Sequence, residues 1–312
     1  MSIDRRSSAR HEREGAIVVM TRARATALAM LLVASPLAAQ MPPGMAELRA
    51  EQAKMPAPDA VVRYGGDDLR SGEIRLPKGK GRFPIAMLIH GGCWSQEYDT
   101  VKGMTPLAEA LRQRGFAVWN VEYRRLGNPG GGWPGTFQDI AAAMDYLPTL
   151  AKTYPLDLKR LTIVGHSAGA HLAAWAGSRT RLPAPWTAPK AVRPVSVVVI
   201  DGPTTLAPFV GADAEVCGKP VIVPLMGGTP AEKPAEYRIA SPADHLPLGE
   251  RQVIVLGSLT PYIKPYVAAA RAAGDPVDAL EPAGANHFDI ITPSTPNGKA
   301  VADFVAAKAL AK

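Results

Sequence analysis

The sequence predicts an α/β protein: one domain on a mostly parallel central sheet with helices on both faces. Three observations carry the prediction. Short apolar, β-branched runs alternate with amphipathic stretches from Val61 onward. Most of those runs close on glycine or a turn residue. No internal repeat or linker divides the chain after residue 60. With 312 residues, 47% hydrophobic and 20% charged, the chain has the material for one large core.

Taken in order, "VVRY" and "GEIRLP" predict an opening antiparallel pair. "PIAMLIHGG" is a buried strand ending in glycines, and "TPLAEALRQRG" a helix capped by Thr105 and stopped by Gly115. "FAVWNVEYR" is the next strand, followed by a helix over residues 136–150. "RLTIVG" enters another strand, with the helix "SAGAHLAAWAGS" directly behind it. "VSVVVIDG", "RQVIVLG" and "DALEPAG" complete the strands, the last two separated by a helix around 262–273. Residues 203–250 are rich in Pro and Gly and predict an excursion over the carboxyl edge of the sheet, a candidate lid.

The N-terminus reads as an export signal. Residues 1–39 form a leader whose translation start is expected at Met20: Arg22 and Arg24 are basic, Ala25 to Val33 apolar, and "SPLAAQ" offers cleavage near Ala38 or Ala39. The apolar run is too short to span a bilayer, so no stable membrane insertion is expected after cleavage, and the destination is periplasmic or extracellular. Residues 40–60 then read as a linker, and 61–312 as the folded domain. The net charge of +7 owes much to the leader, which holds six arginines against three acidic residues. Taking those from the totals of 35 and 28 leaves 29 basic and 25 acidic, with no basic block, so nucleic acid is excluded as a partner. Cys93 and Cys217 are too few for a disulfide framework; an oxidising compartment would pair them if the fold brings them together.

"GHSAG", Gly165 to Gly169, carries the chemistry. A strand leads into it and a helix leads out, the context a nucleophile elbow requires, which makes Ser167 the candidate nucleophile. A serine hydroxyl is a weak nucleophile until a base takes its proton. His287, in "GANHFDII" after the last predicted strand, stands where the Ser…acid…His chain order puts that base. Of the other histidines, His11 lies in the leader, His90 is expected to order its loop, and His166 to point away from substrate. His171 is expected to pack, and His245 shows no partner. "HGGCW", His90 to Trp94, follows a strand with glycines that can turn their amides toward a developing oxyanion. The expected donors are the N–H groups of Gly92, Cys93 and Ala168, while Trp94 either lines the pocket or anchors the loop.

These stretches, with "EYRRLG", "GGWPGTFQDI", "YPLDLKRLTIVGHSAGAHLA" and "SPADHLPLG", resemble the α/β-hydrolases of the hormone-sensitive-lipase and arylformamidase-like group. The likeness is greatest to secreted bifunctional deacetylase and feruloyl esterase domains and covers residues 61–312. It implies hydrolysis of a small acyl or aryl carboxylic ester through an acyl-enzyme, with Asp139 bracing a helix near the site. Two alternatives accompany it: an arylformamidase, and a catalytically impaired fold that binds without turnover. No metal-ligand cluster, phosphate loop or dinucleotide fingerprint is present, so no cofactor is expected and a small ester is the only partner expected.

One departure from the pattern matters. The turn after "RQVIVLG" should carry the acid as Gly-x-x-Asp-Pro, but Thr260 stands before Pro261. Asp289, Asp275 and Asp278 are poorly placed to replace it. Asp201, closing "VSVVVI" one strand earlier, is the candidate, with a plain turn residue and a triad lacking an acid as the open alternatives.

Overall fold

The computed structural model describes residues 41–187 and 192–311; the expected leader, with His11, lies outside them. Eight strands form one sheet in the order β1-β2-β4-β3-β5-β6-β7-β8. β1 (Ala60–Arg63) and β2 (Ser71–Arg75) form the predicted opening pair, antiparallel to each other, and β2 runs antiparallel to β4 (Ala117–Val121). β3 (Phe83–Ile89), β4, β5 (Leu156–His166), β6 (Ser196–Ile200), β7 (Arg251–Val255) and β8 (Val277–Leu280) are all parallel.

The helices are α1 (Met45–Gln52), α2 (Thr105–Gln113), α3 (Gly135–Asp145), α4 (Leu147–Leu150), α5 (Ala168–Ser178), α6 (Ala212–Cys217), α7 (Ile222–Met226), α8 (Pro234–Ala240), α9 (Thr260–Ala272) and α10 (Pro296–Lys308). Alternation along the strands sends Ile85, Met87, Ile89, Val197, Val199 and Ile254 to one face, where α3, α5 and α9 cover them. Ala86, Leu88, Val198, Ile200, Val253 and Val255 face the other way, against α1, α2 and α10. Burial on both faces is why these strands read as unbroken apolar runs; each such Val, Leu or Ile contributes about 1.5–3 kcal/mol by leaving water. No helix among the described residues is long and apolar enough to cross a membrane.

Four details depart from the sequence reading. Residues 40–60 are not simply a linker: α1 forms there because Leu48 finds an apolar seat, 1% exposed, and Glu51 Oε2 accepts from Ser294 N–H at 3.1 Å. Thr105 does not cap α2, since a 3₁₀ turn over Val101–Met104 precedes it and Thr100 caps that turn through the Lys102 N–H. The stretch 203–250 holds α6, α7 and α8 rather than few elements. Helix α10 is not among the predicted elements, although its signal is present: Thr295 accepts from Gly298 N–H ahead of Pro296, and Val301, Ala302 and Val305 form its buried stripe.

Register decides where the chemistry can sit. Ile89 pairs with Gly165, His166 with Ile200, and Ile200 with Val255, so four parallel strands end level with one another. The residues just beyond those ends, His90 onward, Ser167, Asp201 and Gly257, therefore emerge along one edge of the sheet.

Candidate active site

Ser167 sits between the end of β5 and the start of α5 with φ 56° and ψ −122°, a strained conformation for a non-glycine residue. The elbow is tight enough to dictate its flanks. A Cβ at Gly165 would lie 1.9 Å from Gly169 O, and one at Gly169 only 2.1 Å from Ile89 O. The hydroxyl is thus raised at the sheet edge by a turn that only small neighbours permit.

His287 and Asp201 meet beside this elbow. His287 Nδ1 donates to Asp201 Oδ2 at 2.7 Å. Asp201 Oδ1 accepts the N–H groups of Gly257 and Leu259, each at 2.9 Å. The carboxylate therefore sits on the "GSLTP" turn itself, although it comes from the preceding strand. Asp201 reaches it with φ 44°, and Gly257 leaves the room, because a Cβ there would lie 2.8 Å from Asp201 Oδ2. Burial opposes a charge on Asp201, but the bonds to His287 and Leu259 prevail and hold its pKa below the usual carboxylate value.

The remaining aspartates and Thr260 are occupied elsewhere. Thr260 Oγ1 donates to Gly257 O at 2.7 Å, starting α9. Asp289 accepts from Asn286 N–H and Asn297 Nδ2. Asp275 binds the Leu248 and Gly249 amides, and Asp278 pairs with Arg251 and Lys308, at the other end of the sheet.

The "HGGCW" loop passes directly by Ser167: a Cβ at Gly91 would lie 3.0 Å from Ser167 Cβ. Gly92, Cys93 and Trp94 all take positive φ, at 97°, 50° and 51°. Among the described residues, the N–H groups of Gly92, Cys93 and Ala168 have no protein acceptor, which leaves them available to a ligand oxygen. His90 braces the loop through Nε2 to Glu122 Oε1 at 2.9 Å and Nδ1 to Gly91 O at 2.8 Å. Burial would raise the Glu122 pKa, yet His90 and Arg125 hold it down at about 2. Asp139 braces α3, accepting Arg124 N, Nε and a second guanidinium nitrogen.

Trp94 anchors the loop: it is 1% exposed and its Nε1 donates to His171 Nδ1 at 3.2 Å. His171 Nε2 in turn donates to Ala240 O at 2.7 Å, so the ring is a neutral tautomer fixed at both nitrogens. His245 Nε2 donates to Arg238 O. Cys93 and Cys217 form a disulfide with Cα atoms 6.1 Å apart, joining the loop to the end of α6. Sequence could not supply that distance.

His166 is the site residue that sequence reasoning missed. It is 3% exposed, its Nε2 donates to His287 O at 2.8 Å, and its ring lies 4.5 Å from the His287 ring. The only signal available was its place inside the elbow motif.

The two buried rings give a pH dependence. Burial, helped by nearby His287, lowers the His166 pKa to about 3, and burial lowers that of His171 to about 4, both from 6.5. The unfolded chain then binds more protons than the native one below about pH 6.5. Stability is full above that pH and falls as pH drops, by up to about 1.4 kcal/mol per unit for each ring. The urea midpoint should therefore drop between pH 6.5 and 4.5; a flat midpoint there would contradict neutral burial of both rings.

Comparisons with known proteins agree with this architecture. The chain is 32% identical over 117 residues to Gut esterase 1 of Caenorhabditis elegans, covering 34% of this chain and 20% of that protein. It is 32% identical over 107 residues to Esterase LipQ of Mycobacterium tuberculosis, covering 33% and 24%. The chain thus spans about a fifth to a quarter of the length of these relatives. In fold it is similar to a truncated carbohydrate esterase from gut microbiota, with TM-score 0.66 and 21% identity over 82% of this chain and 99% of that one. A bacterial heroin esterase superposes with TM-score 0.68 and 21% identity, over 86% and 90%. The BD-FAE family model matches residues 73–258, which span the elbow, the "HGGCW" loop and the Asp201 turn, and the chain belongs to that family.

Proposed function

We propose that the protein is an exported serine hydrolase that cleaves small acyl or aryl carboxylic esters through an acyl-enzyme on Ser167. The observation that carries this reading is the 2.7 Å bond from His287 to Asp201, set beside a strained serine elbow. Relatives named as esterases support the bond type. The leader pattern and the Cys93–Cys217 disulfide support export, since such bonds persist in oxidising compartments.

In the proposed reaction, Ser167 Oγ attacks the ester carbonyl carbon while His287 Nε2 takes the hydroxyl proton. Asp201 fixes the tautomer that leaves Nε2 free and stabilises the imidazolium that forms. The carbonyl oxygen becomes an oxyanion held by the N–H groups of Gly92, Cys93 and Ala168. Removing one donor from such a hole costs roughly 3 kcal/mol. Collapse breaks the bond to the alcohol oxygen, which His287 protonates as it leaves. Water, deprotonated by His287, then attacks the acyl-enzyme, and the acid departs as Ser167 regains its proton.

The same machinery would cleave an aryl formamide, so substrate separates the two readings. The binding-only alternative rests on Thr260; the Asp201 carboxylate seated on the same turn and bonded to His287 supports the catalytic reading. The purified protein should turn over p-nitrophenyl acetate and hydrolyse N-formylkynurenine far more slowly, and protein from its native host should begin near Ala39 or Gln40 by mass spectrometry. Failure on a panel of acetyl, butyryl and aryl esters would overturn the ester reading. An intact Met1 or Met20 would overturn export.

A further inference from the structure

We propose that His166 is a positioning residue that holds the base loop and the "HGGCW" loop in fixed relation across the elbow. The inference rests on the reading of His287 as the base. His166 is the last residue of β5, so its position is set by the sheet rather than by a loop. One edge of its ring donates Nε2–H to His287 O at 2.8 Å. The other edge faces the glycine loop, where a Cβ at Gly91 would lie 3.2 Å from His166 Nδ1. Its face packs 4.5 Å from the His287 ring, with Phe288 at 6.0 Å. A single side chain, adjacent to Ser167, is therefore bonded to one of the two segments that must be placed against it and lies beside the other.

The chemistry explains why this position suits a histidine. An apolar residue of similar size would leave His287 O without this donor beside a buried ring. The base loop would then be free to shift, and His287 swings between accepting and returning a proton twice per turnover. A cationic side chain would donate equally well but would repel the imidazolium. His166 avoids that because it stays neutral; the charged or titratable groups facing it are His287 and Asp201.

The test compares His166→Leu, which fills the volume without a donor, with His166→Gln, whose amide can reproduce the Nε2 donor. His166→Leu should lower kcat roughly 10- to 100-fold, the scale on which an ångström of misplacement acts, with KM within about threefold of wild type. It should also broaden or abolish the low-field proton resonance of the His287–Asp201 hydrogen bond. His166→Gln should restore both kcat and the resonance to near wild type. If His166→Leu unfolds, His166→Asn, a shorter amide that cannot reach His287 O, takes its place with the same expectation. His287→Ala separates the two readings. Activity surviving in His287→Ala overturns the base assignment and this inference with it. Activity lost in His287→Ala but retained in His166→Leu, with the resonance unchanged, overturns the positioning role alone.

Discussion

Ser167→Ala and His287→Ala should each lower kcat for p-nitrophenyl acetate by at least about 10⁴-fold while the protein remains folded. In the proposed mechanism the serine supplies the attacking oxygen and the histidine takes its proton, so each loss removes a step of its own. Alanine fits the elbow as serine does, because the space there is set by Gly165 and Gly169 rather than by the hydroxyl. Once one member is gone the other has nothing to activate. The double variant should therefore be little worse than either single one. Retention of more than about a tenth of wild-type kcat by Ser167→Ala would rule out the mechanism, since losing a nucleophile costs orders of magnitude.

Asp201→Asn should lower kcat by about 10⁴-fold, the scale of a triad aspartate replaced by its amide. The substitution is conservative for the fold. Asparagine tolerates the positive φ of 44°, and its Oδ1 can still accept the Gly257 and Leu259 amides. What changes is the group facing His287 Nδ1, where an NH₂ replaces an acceptor. The ring must then turn its lone pair to Nδ1 and its proton to Nε2, which disables it as a base toward Ser167. Thr260→Asp should restore nothing in that background. Thr260 is already turned back on Gly257 O, and the amides that would hold a carboxylate in that turn are taken by residue 201. Near-normal kcat in Asp201→Asn, together with a gain in Thr260→Asp, would show that the acid belongs on the later strand.

The parallel sheet was legible because burial on both faces writes itself into β-branched runs such as "VSVVVI" and "RQVIVLG". The placing of Ser167 and Asp201 along one edge of the sheet, with His287 bonded to Asp201, was in part legible for a related reason. Each lies just past a predicted strand, and parallel strands in register end together. What the sequence could not express was distance. Nothing in "HGGCW" or "AEVCGK" says that Cys93 and Cys217 approach, because the intervening path is set by packing of the 203–250 stretch. His166 was hidden differently: its partner is a main-chain oxygen, and a backbone acceptor leaves no residue type to read. Helix α1 was hidden because one buried side chain, Leu48, secures it, and a single leucine among Pro and Ala makes no period.

The Cys93–Cys217 bond joins residues 124 positions apart, and Ser167 lies on the stretch between them. That stretch is therefore a closed covalent ring, from which the two ends of the chain leave as tails. A protease that cuts the ring once opens it without detaching anything, and the clipped enzyme is still a single molecule. The "HGGCW" loop and Ser167 stay tethered even when the peptide between them is broken. Only a second cut within the ring, or a reductant, turns a nick into a loss.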